Sequence, residues 1–477
     1  MGPLSAFGEV VTGSPTPVVQ IDSVYGLLAT EHESYSANNG SAAVSSGMFT
    51  CQTGTSAGGY GVIRSKRVLR YRPGQAAVIR IAAKFTTPVA LSQQMVGGVV
   101  VEGGLYVGYN GTQFGVMRQT GGKITIYRLT ISAGATGTES VTITLNDATF
   151  TFNLGSGTAA ANATTVAAQS YTGWEAYQNG STVTFLSTTV GVKGGAYSFT
   201  NNTGGGTAAA SFAAVQAGVA HTETWTYTSA WNIDRMDGSG PSGQTLDPTK
   251  GNVYEISYQW LGFGAIEFKV ENAQTGEFQP VHKIRYANAN SVPSLANPTL
   301  KIGYVAYSLG STTNLTVQGA SAAGFLIGPT TPLKPSRSVS NTKTGVGTSF
   351  TNIVSIRVRP ELNGNVNLGE AIAMAVSVGV DGTKTAEAQL ILNPTFAGTP
   401  NWTYVNQTGS AVEYDVSGTT VTGGTTIASQ ALGRTSSERL DLSRLSVRLS
   451  RTDVLCIAVK VSSTTTDASA SISWVED

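Results

Sequence analysis

Hydrophobic and polar positions alternate in steps of two over most of this chain, and the three-to-four spacing of a helix is scarce. The stretch 253–270, VYEISYQWLGFGAIEFKV, carries the clearest pattern. Tyr254, Ile256, Tyr258 and Trp260 share one parity, and Glu255, Ser257 and Gln259 the other. Beyond Gly262-Phe263-Gly264 the rhythm resumes, with Ile266, Phe268 and Val270 set against Glu267 and Lys269. Successive side chains of a strand point to opposite faces, so this spacing predicts an antiparallel hairpin with one dry and one wet face. The aromatic row, Trp260 included, is expected in a core, because strand-parity aromatics bury area.

The same reading divides the chain. Residues 1–22 are rich in Pro and Gly without sustained alternation, and read as an N-terminal arm. From 23 to 122 come strands separated by turn chemistry such as Arg72-Pro73-Gly74 and Tyr109-Asn110-Gly111, with Val78, Arg80, Ala82 and Lys84 opposing Ile79, Ile81, Ala83 and Phe85. Residues 123–225 differ in composition: between 129 and 222 the charged side chains are Glu139, Asp147, Glu175 and Lys193. There ESVTITLNDATFTFNL predicts a hairpin about Asn146-Asp147 with Val141, Ile143 and Leu145 inward, followed by an Ala-rich helix capped by Thr158. After Trp225 the first style returns and runs to 328. The simplest account is a discontinuous β-sandwich, 23–122 with 226–328, carrying a small α+β domain in a loop, where few contacts oppose an insertion. Residues 329–345 read as a Pro-containing linker, and 346–477 as a second sandwich with Leu455, Ile457, Val459 and Val461 as one inward row and Ile472 and Trp474 as another. The predicted fold is mostly β: two antiparallel sandwiches of jelly-roll or concanavalin-like kind, plus the insert.

Composition narrows the function. The 477 residues exceed what one core usually serves, and 57 glycines with only 12% charged residues favour many short strands over charged helices. A net charge of +1 supplies no basic field, so nucleic acid is not an expected partner. No apolar run is long enough to cross a bilayer as a helix, and MGPLSAFGEVVTGSPTP has no positive stretch leading into an apolar one, so no secretory leader is expected. Two cysteines, Cys51 and Cys456, exclude a disulfide framework or a cysteine metal cage.

Several segments resemble virion structural proteins of tailed bacteriophages and some large DNA viruses. They are RYRPGQ, GLYVGYNGTQFGVMR, WNIDRMDGSGPSGQTLDPTKGNVYEISYQWLGFGAIEFKVEN and HKIRYAN, and towards the end VEYDVSGT, LDLSRLSVRLSRTDVLCIAVKVSS and SASISWVED. Residues 130–220 resemble a small phage domain that recurs as an insert. The resemblance implies a peripheral protein of the virion surface with lectin-like domains, made in the host cytoplasm, and transfers no catalytic residue. It does not fix where on the particle the protein sits. A tail- or head-fibre or spike component that contacts the host surface is expected, with a capsid or tail decoration protein serving particle stability as the alternative and a polysaccharide depolymerase as a third. On the same analogy copies are expected to form a homotrimer, with the arm docking to other virion proteins.

Candidate chemistry is sparse. His32, His221 and His282 are scattered, and in Glu31-His32-Glu33 a strand would turn the imidazole away from both carboxylates, so no metal site is expected. Residues 234–240, DRMDGSG, read as an Asp-Gly turn rather than a calcium loop. No paired-carboxylate or nucleophile motif stands out, so no enzyme and no cofactor are expected. A glycan, if bound, is expected at Tyr106, Tyr109 and Asn110 or at Trp231 and Asn232, where a ring can meet a sugar face and an amide its hydroxyls. One dense basic run, RSKRVLRYR, would place Arg64, Lys66, Arg70 and Arg72 on one strand face as a contact patch.

Overall fold

The computed structural model describes residues 13–328, 335–443, 445, 447–451 and 453–477. Among them nearly every element is a strand, the named strand pairs are all antiparallel, and one α-helix is present. The chain divides into two compact units, Met1–Lys123 with Ala220–Thr331 and Ile124–Val219 with Pro332–Asp477.

The first unit holds a nine-stranded and a seven-stranded sheet. At the centre of the nine-stranded sheet lies Ala77–Phe85, bonded on one side to Asn252–Tyr258 and on the other to Ser321–Ile327 and Thr316–Gly319. The hairpin expected at 253–270 forms, with Tyr254 opposite Val270 and Tyr258 opposite Ile266. Its dry parity is fully buried at Tyr254, Ile256, Tyr258 and Phe268. The parity expected to be wet is buried too, at Glu255, Ser257 and Gln259, and its charges are met by a ladder of ion pairs: Glu255 takes Arg80 at 2.8 Å and Lys269 at 3.0 Å, and Lys269 reaches on to Glu267. Trp260 departs from expectation. It follows the end of the strand, half-buried, edge-on to Tyr71 at 5.7 Å. Side chains of the two sheets meet: Phe85 and Tyr254 of the nine-stranded sheet pack on Phe114 of the seven-stranded one.

The expected arm is in part a strand. Pro15–Asp22 pairs with Ser321–Ile327, with Val19 and Ile21 buried on one parity and Gln20 exposed on the other. Only one of its edges is paired, so Pro15 and Pro17, which lack an N–H, fit without breaking a ladder. Two prolines and a buried row of only two residues hid the alternation. Residues 1–12 of the expected arm lie outside the described residues.

In the second unit, residues 124–219 form a four-stranded and a three-stranded sheet with the helix Ala159–Ala167. Strands Glu139–Leu145 and Ala148–Leu154 join through Asn146 and Asp147, both at positive φ, the left-handed pair that a two-residue hairpin turn needs. Thr158 caps the helix, its hydroxyl accepting from the Ala161 N–H. Glu139 closes the module: its carboxylate accepts from the Thr207 and Ala208 N–H groups and the Asn201 amide. The insert ends before its expected boundary at residue 225: Thr222–Tyr227 belongs to the seven-stranded sheet of the first unit, bonded to Gln113–Thr120.

The C-terminal part of this unit holds five- and six-stranded sheets around Ile472, Trp474, Leu455, Ile457, Val459 and Val461. The other parity of Val454–Val461 is buried too, at Cys456 and Ala458, so this central strand is dry on both faces. Of the expected linker 329–345, residues 329–334 lie outside the described residues, and Ser336–Val346 is instead an edge strand on Thr466–Glu476. Its Ser, Thr and Lys side chains carry little hydrophobic signal, since an edge strand is held chiefly by its backbone bonds. Ion pairs and hydrogen bonds tie the 124–219 segment to this part. Arg357 Nε lies 2.6 Å from Glu413, its guanidinium stacks on Trp402 and donates to the Gln178 carbonyl, and the Asn179 amide donates to Glu413 at 2.7 Å. Arg128–Glu361 and Arg451–Glu175, each at 3.0 Å, complete the set.

Candidate functional site

The seven-stranded sheet of the first unit has one face turned to the core and another on which aromatic and polar side chains assemble. Its strand order is Thr222–Tyr227, Gln113–Thr120, Gly103–Asn110, Ser92–Val100, Ile302–Ser308, Tyr60–Ser65 and His32–Ala37. Register places Tyr60 beside Tyr307, Tyr307 beside Gln93, and Gln93 beside Asn110. A second cross-strand row runs from Tyr106 to Met117 to Trp225. The floor is apolar, built of Val62, Met95, Val99, Met117 and Val305. Tyr106 lies over Gly104, where a Cβ would come within 2.4 Å of its ring, so only glycine lets the tyrosine lie flat there.

Above this floor four half-exposed rings form two pairs. Tyr60 and Tyr307 are 5.7 Å apart, and Trp225 and Tyr227 are stacked at 6.2 Å with 12° between planes. Between them runs a polar chain. Tyr106 Oη donates to Gln119, whose amide donates to Glu223; Glu223 also accepts from Gln93 at 2.9 Å and from the Trp225 indole at 3.2 Å. His221 stands 3.4 Å from the same carboxylate. The hydrogen bond from His221, then those from Trp225 and Gln93, hold Glu223 down to about 2 despite partial burial. At the other side Glu33 bonds Arg64 Nε at 2.8 Å and the Lys301 ammonium, and Arg64 lies over the Tyr35 ring. Burial alone would raise Glu33, but the charges of Lys301 and Arg64 outweigh it and leave the carboxyl below its ordinary range.

Of the residues expected to hold a glycan, the structure brings two to this face. Tyr106 is 3% exposed and supports the floor, and Asn110 donates its amide to Tyr227 Oη at 3.1 Å. Tyr109 points the other way, edge-on to Phe85 and Phe114 in the core. Trp231 is buried on Phe114 with its indole bonded to the Thr226 carbonyl, and Asn232 is exposed but bonds both backbone groups of Lys283. All three expected ring platforms, Tyr106, Tyr109 and Trp231, are therefore buried and have no open face for a sugar. Nor do Arg64, Lys66, Arg70 and Arg72 line one strand: it ends at Ser65, residues 66–67 bend, and Arg64 alone sits in the sheet, buried against Glu33.

The acidic motifs are spent on structure. His32 packs edge-on to Phe49 and accepts from the Leu28 N–H, and Glu33 is engaged as above. Asp234 accepts from the Met236 and Ser242 N–H groups, and Asp237 from Ser239. Among the described residues no group of three or more His, Cys, Asp or Glu side chains converges as a metal site would require.

Residues of the face that sequence reading passed over include Tyr60, Gln93, Glu223, Trp225, Tyr227 and Tyr307. A signal was present in TETWTY, where Glu223, Trp225 and Tyr227 share a parity against three threonines. It could not be weighed without knowing that the strand lies in the sheet beside Gln113–Thr120.

No family model matches the chain, and no curated protein matches it. Among solved structures, the Faustovirus major capsid protein aligns over 96% of this chain and 92% of its own, at 8% identity and a TM-score of 0.12, a score too low for the likeness to bear on fold or function.

Proposed function

We propose that this chain is a non-enzymatic structural protein of the virion surface, of fibre or spike type, whose first unit contacts host-surface glycans. On this reading the facing sheets of each unit are lectin-like β-sandwiches, copies associate as a homotrimer, and other virion proteins hold the assembly on the particle. The observation that carries the glycan contact is the outer face of the seven-stranded sheet. Half-exposed rings in two pairs, with amides and carboxylates between them, match a ligand that has apolar ring faces and a rim of hydroxyls. The same carboxylates support the non-enzymatic part. Glu223, held near 2, and Glu33, held below its ordinary range, stay ionised at neutral pH, and glycoside hydrolysis needs one carboxyl that keeps its proton.

The test is glycan-array binding by the full chain, compared with Trp225→Ala and Tyr307→Ala. Both rings are half-exposed at the ends of the face, so each variant is expected to fold and to lose at least about tenfold in affinity. Absence of binding to any glycan or host cell, together with loss of particle stability on deleting the gene, would favour decoration instead. Oligosaccharide released from host polysaccharide, and abolished by Glu223→Gln, would make it a depolymerase.

A further inference from the structure

A cavity of about 460 Å³ opens elsewhere in the first unit. Its walls are Lys84 to Thr87, at and beyond the end of Ala77–Phe85, Thr249, and the 313–318 segment leading through Thr316–Gly319. Its size falls within the roughly 300–1,000 Å³ of small-molecule sites. Lys84 is the one ionisable side chain among the lining residues; the others are mainly threonines and amides.

The walls are held from behind. Thr86 Oγ1 donates to Gln94 and accepts from the Thr316 N–H, and Asn314 Oδ1 accepts from the Gly54 N–H at 2.9 Å. Gln318 donates its amide to Thr50 at 3.1 Å. These bonds use one end of Asn314 and Gln318 and leave the Asn314 Nδ2 and Gln318 Oε1 groups without a hydrogen-bond partner among the described residues. The Lys84 ammonium likewise takes neither an ion pair nor a hydrogen bond there, unlike Lys269 and Lys301 of the same unit, which both face carboxylates.

A pre-set wall with one unneutralised cation, amide groups and hydroxyls has a chemical complement. We propose that this cavity binds the anionic unit of an acidic saccharide, its carboxylate or sulfate on Lys84 and its hydroxyls on Asn314, Gln318 and the threonines. A nucleotide or polyphosphate would call for several cations or a cradle of backbone N–H groups. One ammonium among neutral hydrogen-bonding groups suits a single negative charge on a hydroxyl-rich body. The site shares no residue with the aromatic sheet face, so the two stand or fall separately.

Calorimetric titration of the full chain with galacturonic acid, galactose 6-sulfate, galactose and inorganic phosphate decides it. One or both acidic sugars are expected to bind, and the difference between them identifies carboxylate or sulfate as the source. Galactose and Lys84→Gln with the acidic sugar should each be weaker by about tenfold or more, the weight of one charge-assisted hydrogen bond. Lys84→Arg should recover part of the loss, and Trp225→Ala should leave this binding unchanged. Equal binding by Lys84→Gln, by galactose or by phosphate overturns the proposal, as does no acidic sugar binding below about 10 mM. Lys84 lies half-exposed with no internal bond to lose, so its variants are expected to fold, which circular dichroism checks.

Discussion

Replacing Val19 and Ile21 together by alanine tests whether the N-terminal segment is a structural strand. The pair removes five buried carbon atoms at positions 2% and 3% exposed. At about 0.8 kcal/mol per buried methylene the transfer loss is about 4 kcal/mol, and the cavities left behind take the total towards about 6. Against a domain stability of about 5–15 kcal/mol this is a large fraction. Gln20→Ala, on the exposed parity of the same strand, is expected to cost within about 0.5 kcal/mol. Thiol labelling in a urea series reads the unit directly. Cys51, in another strand of the same sheet, is fully buried and its thiol is pushed up to about 12, so it reacts only when that unit opens. Cys456, buried in the other unit and also pushed up to about 12, serves as the internal reference. The double variant should expose Cys51 at clearly lower urea than the parent and Gln20→Ala. Coincident Cys51 curves for all three would refute the reading and return residues 15–22 to the status of an arm.

Two further outcomes follow from charges. Arg357→Met leaves Glu413, whose side chain is 1% exposed, without its cation and should cost about 3–5 kcal/mol, whereas Arg357→Met with Glu413→Leu should recover much of it; urea midpoints of the four proteins of the cycle measure both, and equal loss in the single and double variants would refute the assignment. For Glu223 the folded carboxyl near 2 lies below the unfolded value of 4.5, so its contribution is fully present above pH 4.5 and is lost as pH falls towards 2. Glu223→Gln should therefore flatten the stability profile between those values and leave its shape above pH 5 unchanged, which urea midpoints from pH 2.5 to 7 would show.

The sequence alone determined what depends on neighbours along the chain. Period-two alternation marked Asn252–Tyr258 and Ile266–Glu271 as paired strands, Asn146-Asp147 specified its own hairpin turn, and Thr158 announced the helix through a bond to Ala161 three residues on. Each rests on local backbone geometry, which a few residues encode. What lay outside that range was decided by tertiary structure. Pro15–Asp22 is a strand because Ser321–Ile327, some three hundred residues away, offers it a free edge. Arg64 is half of an ion pair rather than part of a basic patch because strand pairing sets it directly opposite Glu33. The parity of Tyr106 and Tyr109 showed that they face opposite ways, but not that both directions are covered, one by the core and one by the aromatic face. Alternation says which residues share a face. Only the pairing of distant strands says what that face meets, because the partners are brought together by the packing of whole sheets and not by any local propensity.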